Sequence, residues 1–322
     1  MKTESIHIAV MTDQLMELVA PRAGGSYLDA TLGGGTHTSE LLERSGPDGH
    51  VVSLDVDAKA LERAKKRFQA YGSRWLGVHT NFGDLEDVAL RHGWKGFDGI
   101  IFDLGFSSDE LEDASKGLSF KEDGPLDMRL GSGEAAARFT AEEIVNSWRQ
   151  EELAEIIRTY GEERMAGRIA RAICDARKSG RITRTVRLAE IVAGALPRNY
   201  ERGRIHPATR TFQALRIAVN DELEVLKSAL SAAIGLLKPK GRIAVISFHS
   251  LEDRIVKHLF KQHEELEILT KKPLIPTDEE MAENPRSRSA KLRGASKKSN
   301  TQKIQTKNKY AKRLRHVDGT AT

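Results

Sequence analysis

Cysteine is almost missing from this 322-residue chain, Cys174 being the single one. An internal disulfide is therefore excluded, which fits a reducing compartment, and no clustered Cys/His spacing points to a metal site. No stretch approaches the roughly 18 apolar residues of a membrane span. The N-terminal segment also lacks the basic-then-apolar order of a secretory leader, so a cytoplasmic location is expected. Acidic residues are nearly absent after Asn284: 12 Lys or Arg stand there against Asp318 alone, and the segment is too polar to build its own core. It is expected to be a mobile, phosphate-binding tail; a solvated tail with no partner is the bland alternative. Acids are scarce again between Arg158 and Arg216, where five face 14 basic residues, 13 of them Arg. The planar guanidinium suits phosphate better than a lysine point charge does. Two basic zones on an otherwise acidic protein favour nucleic acid as the partner.

What is present is sharpest at Tyr27 to Thr38, YLDATLGGGTHT. A short apolar strand runs into Gly33, Gly34 and Gly35 and then a helix, and glycine lets a ligand approach the main chain closely. Two nucleotide motifs fail here. A dinucleotide fingerprint needs a third glycine where Thr38 stands, and no G-K-[ST] follows for a phosphate loop. A second strand, VVSLDVD, ends in Asp55, a carboxylate placed to accept from ribose hydroxyls. Acid, glycine turn and second acid suit an adenosine ligand without a pyrophosphate, and S-adenosylmethionine is the leading candidate. A purely structural strand-to-helix turn is the alternative.

Strands are expected near 26–30, 50–55, 75–79, 98–103 and 242–247. Helices are expected near 12–20, 37–45, 58–70, 84–91, 208–237 and 251–263. The alternation implies an α/β fold with a mostly parallel sheet. Between Glu112 and Arg204 it stops, and helical periods run over Ala141 to Trp148, Glu151 to Tyr160, Glu163 to Lys178 and Thr185 to Leu196. The expected organisation is an α/β domain over 1–111 and 205–283, an inserted helical domain over 112–204, and the basic tail over 284–322.

The fourth strand leads into FDLGFSS, where open α/β sheets place ligand-facing residues. In a methyl-transfer reading, Asp103, Gly105 and Ser107 hold an amino nucleophile in line, with positioning supplying much of the rate. The alternative for Asp103 is a turn or a helix cap. Cys174 lies in RIARAICDARK at core spacing, so it is read as buried filler rather than a thiolate nucleophile, and direct transfer to nitrogen or oxygen is favoured.

The blocks DATLGGGTH, DLGFSS, DGPLDMRL, TYGEER, RIARAI, HPATRTFQALRIAVNDEL and ISFHSLEDRIVK, in this order, resemble the MraW family from about His7 to Arg293. That resemblance implies a class I, Rossmann-like, S-adenosylmethionine-dependent methyltransferase whose inserted helical domain, 112–204, helps to recognise the RNA. It also implies a 16S ribosomal RNA substrate, free or in the small subunit, methylated on N(4) of a decoding-centre cytidine. Cofactor contacts carry over to Gly34, Gly35, Thr36, His37, Asp55, Phe82, Asp103 and Glu110. Thr36 stands where the family has glycine and Glu110 where it has glutamine. Ser107, Arg210 and His249 are the substrate-side candidates, and Asp103 the catalytic one. Ser250 and Asp253 read as a capping box that starts a helix. Phe212, Leu215 and Val219 read as core. A nicotinamide-dependent dehydrogenase, a noncatalytic RNA-binding assembly factor and transfer to a DNA cytosine amine stay open, as does a homodimer.

Overall fold

A computed structural model describes residues 9–105, 113–130, 137–198, 200 and 205–299. It resolves into two compact units, one over Ile8–Gly105 and Lys227 onward, the other over Phe106–Leu226.

The first unit is a seven-stranded sheet in the order β3-β2-β1-β4-β5-β7-β6. Its strands are β1 (Ser26–Asp29), β2 (His50–Asp55), β3 (Trp75–His79), β4 (Phe97–Asp103), β5 (Leu237–Ser247), β6 (Leu266–Ile268) and β7 (Lys291–Lys297). The first five are parallel; β7 runs antiparallel to both β5 and β6. Helices α1 (Thr12–Val19), α2 (Thr36–Arg44), α3 (Ala58–Arg67) and α4 (Leu85–His92) alternate with the early strands. Strand β4 is central and nearly all apolar, as a strand covered on both faces must be. Gly99 within it is required by packing: a Cβ would come within 2.6 Å of Val19 and 2.8 Å of Tyr27. The core gathers Leu15, Met16, Tyr27, Leu41, Phe68, Ile101 and Ile246.

Strand β7 corrects the sequence reading. The residues after Asn284 were expected to form a mobile tail, yet Lys291–Lys297 is an interior strand with Leu292 and Ala295 fully buried. Its polarity is satisfied within the fold, since buried Arg293 donates to Asp253 at 2.6 and 3.3 Å. Arg293 was expected at a phosphate; its partner is a carboxylate. Residues 300–322 of that segment lie outside the described residues.

The second unit is helical: α5 (Ala141–Ser147), α6 (Gln150–Thr159), α7 (Ala166–Arg177), α8 (Thr185–Ala195) and α9 (Thr209–Asn220). Each contributes an apolar face to one core that includes Ile144, Leu153, Ile157, Ile169, Leu188, Phe212 and Leu215. The long helix expected over 208–237 is two. Asp221 takes a left-handed conformation (φ 49°) and separates α9 from α10 (Glu222–Leu236). The resemblance blocks are largely scaffold here. Asn220 accepts from Leu130 N–H and donates to the Met128 carbonyl, holding Asp123–Leu130 in place. Glu163, fully buried, accepts from Met165 N–H and the Tyr200 hydroxyl. Cys174 is half-buried and packs on this core.

Candidate active site

The carboxyl ends of β1, β2 and β4 converge on the glycine turn. Gly35 caps α2 with φ 77°, a conformation that strains any residue with a Cβ, and a Cβ there would sit 3.1 Å from Phe68. Gly33 is also left-handed at φ 50°. Two contacts fix the turn from outside. Arg67 donates to the Gly34 carbonyl at 2.8 Å, and Gly33 N–H donates to Asp55 Oδ2 at 2.9 Å. The other Asp55 oxygen accepts from Asp57 N–H at 2.8 Å, so the carboxylate at the end of β2 is held in a fixed orientation.

Asp29 does something the sequence did not reveal. It is completely buried, and its oxygens accept from Thr31 N–H at 3.1 Å and the Thr38 hydroxyl at 2.7 Å. Thr38 in turn bonds Ser53 at 2.8 Å, and Ser53 accepts from Trp75 at 3.1 Å. Asp29 is thus a buried pin that ties β1, α2 and β2 together. Burial pushes its carboxyl above the usual range, opposed by the His37 charge and by the Thr38 and Thr31 hydrogen bonds. Only the Asp-x-x-x-x-x-x-x-x-Thr spacing within DATLGGGTHT could have suggested it.

Asp103 leaves β4 beside this pin. Its backbone N–H donates to Thr31 Oγ1 at 2.7 Å, which locks the strand end to the glycine turn. Its Oδ2 lies 3.3 Å from His37 Nε2, with the two side chains 15% and 5% exposed. Burial works against a charged His37, but the Asp103 hydrogen bond and the Asp103, Asp29 and Glu40 charges outweigh it and raise the imidazole above its ordinary value. Asp103 Oδ1 and His37 Nδ1 are both buried with no hydrogen-bond partner. Buried polar atoms are rarely left so, and one acceptor and one ring nitrogen here await groups from a ligand.

The remaining sequence candidates fall as follows. Phe82 opens a short turn after β3 and meets Phe102 edge-on at 5.9 Å. Thr36 is the first residue of α2, partly accessible. His249 is the N-cap of α11 (Ser250–Gln262) and forms a capping box with Glu252; its Nε2 lies 3.2 Å from Glu252 Oε1. This moves the expected box by one residue, because Ser250 is already helical and Asp253 is paired with Arg293. Arg210, in the helical unit, is 28% exposed and 3.8 Å from buried Glu163. Ser107 and Glu110 lie outside the described residues.

The donor set fits a cationic nucleoside ligand. Asp103 and Asp29 act on the His37 imidazole, Asp55 stands at the end of β2 beside the glycine turn, and the unfilled acceptor is an Asp103 oxygen. No helix among the described residues is long and apolar enough to cross a membrane.

Comparison with known proteins agrees with the site. A sequence profile described as the MraW methylase family matches residues 4–298. Proteins called ribosomal RNA small subunit methyltransferase H are close relatives. That of Synechococcus elongatus is 50% identical, covering 89% of this chain and 93% of that protein; that of Geobacter sulfurreducens is 47% identical, covering 90% and 98%. A third, from Trichlorobacter lovleyi, is 46% identical with the same two coverages as the Geobacter protein. The chain belongs to the MraW methylase family and is a methyltransferase of the Rossmann-like, class I fold.

Proposed function

We propose that this protein transfers a methyl group from S-adenosylmethionine to the exocyclic N(4) amine of a decoding-centre cytidine in 16S ribosomal RNA. The observation that carries this reading is the buried, unpartnered Oδ1 of Asp103 at the mouth of a glycine turn. The names of the relatives support the RNA class. Bound S-adenosylmethionine supplies a methyl on a sulfonium, an activated electrophile that needs no further metal or nucleophile.

The residues of the chain do the rest. Gly34, Gly35, Thr36 and His37 line the turn, Asp55 receives ribose hydroxyls, and Phe82 flanks the base; Glu110 completes the cofactor set. Asp103 serves both ligands. Its Oδ2 is held by His37, which leaves Oδ1 to accept one N–H of the cytosine amine. That amine is a poor nucleophile because its lone pair is conjugated with the ring. An acceptor on its hydrogen favours a pyramidal nitrogen, and fixing the nitrogen in line removes much of the entropic barrier. Ser107, Arg210 and His249 are substrate contacts in this reading, the helical unit grips the RNA, and the reaction takes place in the cytoplasm.

Titration with S-adenosylmethionine and with a nicotinamide dinucleotide separates the methyltransferase from a dehydrogenase. Labelled-methyl transfer to small-subunit RNA by the intact protein and by Asp103→Ala separates an enzyme from a passive RNA binder. Equal transfer by both would refute the role of Asp103; no transfer by either would refute the reading.

A further inference from the structure

Several arginines of the helical unit are paired with carboxylates. Arg149 pairs with Glu152, Arg158 with Glu155, Arg181 with Glu142, Arg184 with Asp123 and Arg216 with Glu222, at 2.7–2.9 Å. One helix face differs. Arg168 and Arg171 are exposed on α7 three residues apart, so they share one face, and exposed Arg164 stands in the turn just before the helix. The opposite face, Ala166, Ile169, Ala170 and Ile173, is buried in the core. Among the described residues, Arg164 and Arg168 have no carboxylate partner, and Arg171 feels only the charge of Asp175. Further along, the same face is neutralised, because Lys178 holds Asp175 at 2.7 Å.

A second feature marks the same place. Gly167 lies between Arg164 and Arg168 within the helix, exposed, with nothing within 4 Å of where a Cβ would stand. Helix propensity disfavours glycine there and packing does not require it. The arginine face is therefore unobstructed and has room for a further side chain.

We propose that the outer face of α7, Arg164, Arg168 and Arg171 around Gly167, is a docking surface for the phosphate backbone of the RNA substrate. The inference rests on the ribosomal RNA reading and adds to it a named surface, separate from the residues that hold the cofactor. Three exposed guanidinium groups close together, two of them without a carboxylate partner among the described residues, match a run of phosphates. Phosphate contacts position an RNA without reading its bases.

The test is the salt dependence of RNA binding, measured with the full-length protein and a transcript of small-subunit ribosomal RNA. Each phosphate contact on single-stranded RNA contributes about 0.7 to the slope of log K against log salt. The triple variant Arg164→Gln, Arg168→Gln, Arg171→Gln is expected to lower that slope by about 2, and Gly167→Lys to raise it by about 0.7. S-adenosylmethionine affinity should stay unchanged in both, which shows that the protein is folded. The Gly167→Lys arm gains a signal that no folding defect can imitate. A triple variant with the parental slope overturns the docking surface. If the parent binds RNA with these slopes but methylates none of it, the cytidine reading falls and the surface stands.

Discussion

Replacing His37 by leucine tests the electrostatic logic of the site most sharply. His37 is almost fully buried, with Nε2 3.3 Å from Asp103 Oδ2 and the pinned Asp29 close by. A hydrogen bond to a charged group is worth about 1.5–3 kcal/mol, and the distance here is slightly longer than the usual range, which favours the lower half of that figure. Removing the imidazole also leaves Asp103 partly buried without its cation. A loss of about 2 kcal/mol is therefore expected where His37 is charged. Its pKa is raised by folding, so this contribution is complete below about pH 6.5, the unfolded value, and fades as pH rises through the higher folded value. The assay is urea denaturation at pH 6 and pH 9.5, followed by the fluorescence of Trp75, which sits in β3 and bonds Ser53. Trp94→Phe and Trp148→Phe remove the other two tryptophans. The gap between parent and variant should be about 2 kcal/mol at pH 6 and smaller at pH 9.5. A gap that is constant or grows with pH would refute the reasoning.

Three further outcomes follow from the geometry. Gly35→Ala places a Cβ against Phe68 in a left-handed backbone and should cost about 1–2 kcal/mol and weaken S-adenosylmethionine binding several-fold, by calorimetry. Arg293→Met leaves buried Asp253 with Lys291 at 3.5 Å as its remaining cation and should cost about 1–3 kcal/mol near neutral pH in thermal or urea unfolding. Burial raises the Asp253 carboxyl, but Arg293 and Lys291 outweigh it and hold it below its usual range, so the defect should shrink as pH falls through that lowered value. Asn220→Ala frees the Met128 carbonyl and the Leu130 N–H together and should cost about 1–3 kcal/mol, seen as earlier unfolding of the helical unit.

The parts of the protein that follow simple patterns were readable from sequence. Strands β1 to β4 and the second half of β5 are short apolar runs and the helices carry clear 3.6-residue spacing, so hydrophobic periodicity located them; β5 begins at Leu237, five residues before the expected 242, in the polar run Lys238–Gly241. The glycine turn and Asp55 were readable because only glycine serves at Gly35 and the second acid stands at a strand end. Strand β7 was not, because Lys291, Arg293 and Lys297 outnumber its apolar residues; the strand exists through pairing with β5 and β6 and a carboxylate on α11. Asp29 was read as one of three ligand-side acids, and no pattern could show that both of its oxygens are spent on Thr31 and Thr38. The cap at His249 was displaced to Ser250 because histidine is an uncommon N-cap, and serine is the residue such a reading favours. The His37–Asp103 contact joins residues 66 apart in sequence, so only the fold brings it to light.

The central claim concerns one atom of one nucleoside. Small-subunit ribosomal RNA methylated with labelled S-adenosylmethionine, then digested to nucleosides and resolved by mass, should carry its label as N(4)-methylcytidine with the parent protein and lose it with Asp103→Ala. Label recovered as 5-methylcytidine, or on a nucleoside other than cytidine, would contradict the account.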